Sequence, residues 1–171
     1  HINKEKHNKW RVKPKDFEKQ MKWFYDNKWS SFTISELMRL DKIPEKSFVV
    51  TFDDGYEDNF INAFPILKSY NFKATIYLVP NQKTNHWEEK NTLVLSKLLT
   101  VEQILEMQNS GLIEFGSHTL SHVNLSTIND EQLFIELKES KEEIEKITKK
   151  ECKSFAYPYG KFDDKIIQAV K

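Results

Sequence analysis

The stretch Phe48-Val49-Val50-Thr51-Phe52-Asp53-Asp54-Gly55-Tyr56 decides how this chain is read. A short apolar, β-branched run stops at two adjacent carboxylates and a glycine. Such a run reads as a buried strand, Ser47–Phe52, leading into a turn. Barrels and open α/β sheets place their chemistry at strand ends of this kind. Neighbouring residues on an extended chain point in opposite directions, so Asp53 and Asp54 can do different jobs at one site. One could hold a cation while the other holds a proton. Alone, an Asp-Gly step after a strand is ordinary turn chemistry. The strongly apolar strand in front of it is what singles it out.

Outward from this stretch, helical and strand patterns alternate. Phe17, Met21 and Phe24 recur at helical spacing within residues 15–27. Thr33-Ile34-Ser35-Glu36 matches a capping box and predicts a short helix. A helix is expected from Ala63 to Tyr70, with Pro65 tolerable in its first turn. Lys73–Val79 predicts a second strand, and Asn81–Asn91 a polar surface loop. Thr100-Val101-Glu102-Gln103 is another capping box, with Gly111 as the helix stop. Leu112–Phe115 predicts a strand running into Gly116-Ser117-His118. Residues 130–149 carry Leu133, Leu137, Ile144 and Ile147 on one face and a solvated charged face opposite. Ser154–Tyr157 predicts a short strand before Pro158-Tyr159-Gly160, and a helix begins near Asp163. The alternation argues for an α/β fold with a parallel sheet or barrel and helices outside. Three or four internal strands are too few for a closed barrel, so the expectation is one cut short at Lys171.

The 171 residues suffice for one domain with a core. With 39% hydrophobic and 30% charged residues, the composition is that of a soluble globular chain. A formal net charge of zero leaves no basic stripe for phosphates, which argues against nucleic acid. The one cysteine, Cys152, excludes an internal disulfide and has burial as its default role. No run reaches the length of a membrane span and no secretory signal is visible. The chain begins at His1, so a signal or anchoring segment could lie outside it.

His118-Thr119-Leu120-Ser121-His122 holds two histidines four apart, which on a helical turn share one side and can reach one ion. The pair follows a predicted strand end, as the aspartates do. Parallel strands deliver their C-terminal ends to one edge, so two imidazoles and a carboxylate would meet there. A set of that kind leaves positions open for water, which is the catalytic arrangement. Phe155-Ala156-Tyr157-Pro158-Tyr159-Gly160 is either an aromatic turn or a wall of the same pocket. His7 and His86 sit in polar surroundings and are expected to be exposed; His1 is expected to be poorly ordered. Trp87 could stack on a sugar or simply pack. Glu57 and Asp58 read as turn and cap residues.

These residues resemble the polysaccharide deacetylase family, carbohydrate esterase family 4 with its NodB-homology domain. Thr51-Phe52-Asp53-Asp54-Gly55-Tyr56 resembles the first family motif, His118-Thr119-Leu120-Ser121-His122 the second, and Pro158-Tyr159-Gly160 the end of the third. Asn62-Ala63-Phe64-Pro65-Ile66-Leu67-Lys68 and the Ala156–Gly160 variant are most similar to the branch acting on poly-N-acetylglucosamine. The resemblance implies a distorted (β/α)7-type barrel, incomplete at the C-terminus, as a single domain over residues 1–171. It implies a divalent metal, most often zinc, with cobalt, nickel or manganese as substitutes. By that analogy Asp54, His118 and His122 hold the metal, Asp53 is the general base, and the Tyr159 N–H faces the oxyanion. Pro158 and Tyr159 would line the substrate site.

The substrate implied is an N-acetylated polysaccharide, and the location extracytoplasmic. Two departures stand out. The arginine expected two residues before the motif proline is Ala156 here, and neither Arg11 nor Arg39 is an obvious replacement. The histidine acid of the later motifs would lie beyond Lys171. The alternatives are an O-acetyl esterase on acetylated glycans and a catalytically silent glycan-binding module.

Overall fold

Residues 1–4, 10–88 and 95–171 are described by the computed structural model, and along them helix and strand alternate. The order is α1 (Pro14–Asp26), β1 (Ser30–Phe32), α2 (Ile34–Leu37), β2 (Ser47–Val49), β3 (Thr51–Phe52), α3 (Phe64–Tyr70), β4 (Ala74–Leu78), α4 (Val101–Asn109), β5 (Ile113–Ser117), α5 (Asp130–Thr148) and α6 (Asp164–Val170). All strand pairing within the sheets is parallel, so the fold is α/β as the alternation predicts.

The strand expected over Ser47–Phe52 is two strands in two sheets. β2 pairs with β1, whereas β3 joins β4 and β5 in the order β3-β4-β5. The switch falls at Val50, whose carbonyl already accepts from Thr75 N of β4 at 3.0 Å. The strand expected over Ser154–Tyr157 shrinks to one bridge, Phe155 opposite Ser117. It keeps two hydrogen bonds, Ser117 N to Ser154 O and Ala156 N to Ser117 O, both 2.9 Å.

β4 is buried at all five positions. A central parallel strand covered on both faces is apolar throughout rather than alternating, as Ala-Thr-Ile-Tyr-Leu nearly is. Ile76 at its centre packs with Leu67 of α3, Met107 of α4 and Ile144 of α5, all essentially without exposed surface. Each such side chain contributes about 1.5–3 kcal/mol by leaving water. Phe17 and Met21 close the core from α1, which starts at Pro14, a residue suited to the first helical turn. Both predicted capping boxes are formed, Thr33 with Glu36 and Thr100 with Gln103. A third, Asn129 with Gln132, starts α5.

The register sets up the candidate site. Phe52 pairs with Ile76, and Ser117 with Leu78. His118 prolongs the ladder by donating its N–H to Leu78 O at 2.8 Å. Strands lie about 4.8 Å apart, so β3 and β5 run about 10 Å apart with β4 between them. Side chains leaving the ends of β3 and β5 can therefore meet over the end of β4.

Candidate active site

Asp54 turns inward from the end of β3. It sits at φ 69° and Gly55 follows at φ 70°. A Cβ on Gly55 would stand 2.7 Å from Leu78 Cδ2, so the turn needs both the glycine's freedom and its lack of bulk. The turn puts Asp53 at the surface and leaves the Asp54 side chain only 16% exposed. The two carboxylates do face different surroundings, through a left-handed turn rather than through strand alternation.

The histidine segment is not a helical turn. Thr119 and His122 are both left-handed, at φ 68° and 58°, and the loop doubles back on itself. His122 N donates to Thr119 Oγ1 at 3.0 Å, which closes the loop. The result brings both imidazoles to Asp54. His122 Nε2 lies 3.1 Å and His118 Nε2 3.5 Å from Asp54 Oδ1. One potential ligand atom from each of the three residues lies within 4.8 Å of the others.

The donor set fits a divalent cation. His118 Nδ1 lies 2.8 Å from the Ala156 carbonyl and donates its proton there, which turns the Nε2 lone pair toward Asp54. His122 Nδ1 lies 3.2 Å from the Tyr159 hydroxyl. Asp54 Oδ1 is buried and, among the described residues, makes no directed hydrogen bond despite its two close imidazoles. A cation held in common by the three groups satisfies that geometry. Burial holds the His118 imidazole below its ordinary value, against the opposing pull of Asp54 and Asp53. It is therefore neutral and able to ligate at neutral pH. Burial alone would raise the Asp54 carboxyl, but His122, His118 and a hydrogen bond from Tyr56 outweigh it and keep it ionised.

The remaining residues fall into place around this cluster. Pro158 is fully buried, and Tyr159 is exposed at φ 59°. The Tyr159 side chain contacts His122 edge-on, with ring centroids 4.8 Å apart. Trp87 stacks on the His122 ring, with centroids 4.5 Å apart and planes 20° from parallel. His86 is exposed as expected, and His7 lies outside the described residues, as do residues 89–91 of the expected surface loop. Ala156, at the position of the missing arginine, contributes its carbonyl to His118. Cys152 is buried and its thiol is pushed up to about 11, chiefly by that burial.

Two further expectations are overturned. His1 is not loosely placed: its side chain is 2% exposed, Nδ1 lies 2.7 Å from Asp58 Oδ2, and the ring stacks on Tyr56 with centroids 3.5 Å apart. Its Nε2 is buried without a partner among the described residues. Asp58 makes no cap bond to the helical turn it precedes. Its carboxylate instead gathers His1, Ile2 N at 3.1 Å and Asn3 Nδ2 at 2.9 Å. No local sequence signal links His1 to Asp58; the tie is long-range.

Comparison with known proteins agrees with this architecture. The sequence profile of the polysaccharide deacetylase family matches residues 41–171, and the chain belongs to that family. It is 32% identical over 171 residues to a poly-β-1,6-N-acetyl-D-glucosamine N-deacetylase of Staphylococcus aureus, covering 94% of this chain and 57% of that protein. The chain thus spans little more than half the length of the curated relatives it matches. Among solved structures, the deacetylase PplD of Streptococcus pyogenes, in complex with acetate, superposes with a TM-score of 0.84 at 27% identity, covering 96% of this chain and 70% of that one. The polysaccharide deacetylase BC0361 of Bacillus cereus superposes with a TM-score of 0.81 at 33% identity, covering 99% and 52%.

Proposed function

We propose that this chain carries the site of a metal-dependent N-deacetylase that removes acetyl groups from N-acetylglucosamine units of a polysaccharide. The convergence of Asp54, His118 and His122, with the exposed carboxylate of Asp53 next in sequence, is the observation behind the reading. The resemblance to the staphylococcal enzyme supports the choice of glycan. An extracytoplasmic location goes with such a substrate. Among the described residues no helix is long and apolar enough to cross a membrane.

In this reading Asp54 Oδ1 and the two Nε2 atoms hold a divalent cation, with zinc first among the candidates. A cation bound there supplies Lewis acidity toward the acetamide oxygen and an acidified water. Asp53 takes the proton of the attacking water as general base, a role typically worth about 10²–10⁴ in rate. The Tyr159 N–H faces the oxygen on which negative charge develops, and Tyr159 and Pro158 form a wall of the site. The leaving amine needs a proton. His1 is suited to supply it, because Asp58 orients its ring through Nδ1 and its buried Nε2 remains to donate. Tyr56, on which it stacks, hydrogen-bonds Asp54, so this imidazole adjoins the acidic turn.

The deciding measurement is acetate release from an N-acetylated β-1,6-glucosamine oligomer, with and without chelator. Release should require the metal. Asp53→Asn should keep the bound metal and lose at least about a hundredfold in turnover. Metal-independent release, or full activity in Asp53→Asn, would overturn the mechanism. Release only from O-acetylated xylan would favour the ester reading.

A further inference from the structure

The loop carrying the two imidazoles is tied to α5 by one carboxylate. Glu136 Oε2 accepts the backbone N–H groups of Leu120 and Ser121, both at 2.9 Å. Glu136 Oε1 accepts the Ser121 hydroxyl. All three donors belong to the two residues lying between Thr119 and His122. Among the described residues no cation pairs with Glu136, so backbone and hydroxyl dipoles meet its charge. Hydrogen bonds to a carboxylate are roughly twice as strong as neutral ones. Ser140, one helical turn further along α5, holds the other end of the loop. Its Oγ shares a hydrogen bond with Ser117 Oγ at 2.8 Å, and Ser117 Oγ accepts Thr119 N at 3.3 Å. One face of α5 thus grips the loop at two points, Ser117 and residues 120–121, with left-handed Thr119 between them and left-handed His122 immediately after the second.

The geometry points to Glu136 as a positioning residue for the cation site: its hydrogen bonds to the 120–121 backbone set the separation of His118 and His122. The inference rests on the proposed cation site. It concerns hydrogen-bond geometry rather than charge, which separates three variants. Glu136→Gln keeps one acceptor oxygen at the same reach for the two backbone N–H groups, and its amide NH2 can donate to the Ser121 hydroxyl oxygen in place of the lost acceptor. Glu136→Asp keeps the charge but falls a methylene short. Glu136→Met keeps the bulk and loses every acceptor.

The test is zinc affinity of the purified apoprotein by competition with a chromophoric chelator, alongside apoprotein unfolding. Glu136→Met and Glu136→Asp should bind zinc about ten- to hundredfold more weakly, as is typical when groups supporting ligands are lost. Glu136→Gln should recover most of that affinity, and unfolding midpoints should not track the loss. The visible spectrum of the Co²⁺-loaded protein should shift in the Asp variant and not in the Gln variant. Wild-type affinity in both the Met and Asp variants would overturn the inference. So would equal weakening in Gln and Asp, or weakening that merely follows loss of folded protein. Should the Met variant fail to fold, the Asp–Gln pair decides alone. A wild-type protein that binds no zinc would instead sink the cation site itself.

Discussion

The two strand ends that meet at the candidate site turn by different means. After β3 the acidic turn is held by backbone and by close packing. Leu99 N donates to Gly55 O at 2.8 Å, Glu57 N donates to Lys97 O at 2.9 Å, and Leu78 fills the space where a Cβ on Gly55 would go. After β5 the imidazole loop is held by side chains, namely Ser117, Thr119, Glu136 and Ser140. The first turn should tolerate no added atom. The second should tolerate no lost acceptor.

The largest effect should come from Gly55→Ala. Left-handed strain and overpacking together should cost about 2–4 kcal/mol in urea unfolding. A loss below about 1 kcal/mol would show that the acidic turn relaxes as easily as a loop, and would erase the contrast. Next is Ser117→Ala, which leaves Thr119 N without its acceptor and should cost about 1–2 kcal/mol. No measurable loss would mean that the imidazole loop, too, is held by packing.

Acid should probe both halves in turn. The unfolded chain takes up the His118 proton near its ordinary value of 6.5, while burial keeps the folded imidazole neutral. Apoprotein stability should therefore fall as pH drops below about 6.5. Asp54 stays ionised in the fold below its ordinary 3.8, because the two imidazoles outweigh burial. A second loss should begin below that pH. Denaturant titrations across pH would show two steps; stability that rises on acidification would contradict both assignments. The smallest effect is at Cys152, close to the β5 flank. Its thiol, raised to about 11, should resist alkylation at pH 8 in the folded protein. Rapid labelling would mean that this flank opens.

The acidic half was legible in the sequence because its parts are contiguous: an apolar strand, two aspartates and the glycine that their turn requires. Helix starts were legible for the same local reason, through Thr33–Glu36 and Thr100–Gln103. The division of Ser47–Phe52 between two sheets was not, since both halves carry the same β-branched signal and only the partners differ. Nor was the left-handed histidine loop, because four-residue spacing suits a helical turn as well. Its shape depends on Glu136 and Ser140, which look like members of a charged helix face until the fold brings them inward. His1 and Asp58 meet across more than fifty intervening residues, a distance no local pattern reports.

Asp54, Thr119, His122 and Tyr159 all adopt positive φ without being glycine. Each such residue typically costs about 1–2 kcal/mol. Selection for heat resistance alone would therefore tend to replace them, installing glycine or asparagine where the chemistry now stands. Thermostabilised libraries drawn from this scaffold should lose affinity at the proposed cation site first, and any breeding scheme needs a metal-binding screen at every round.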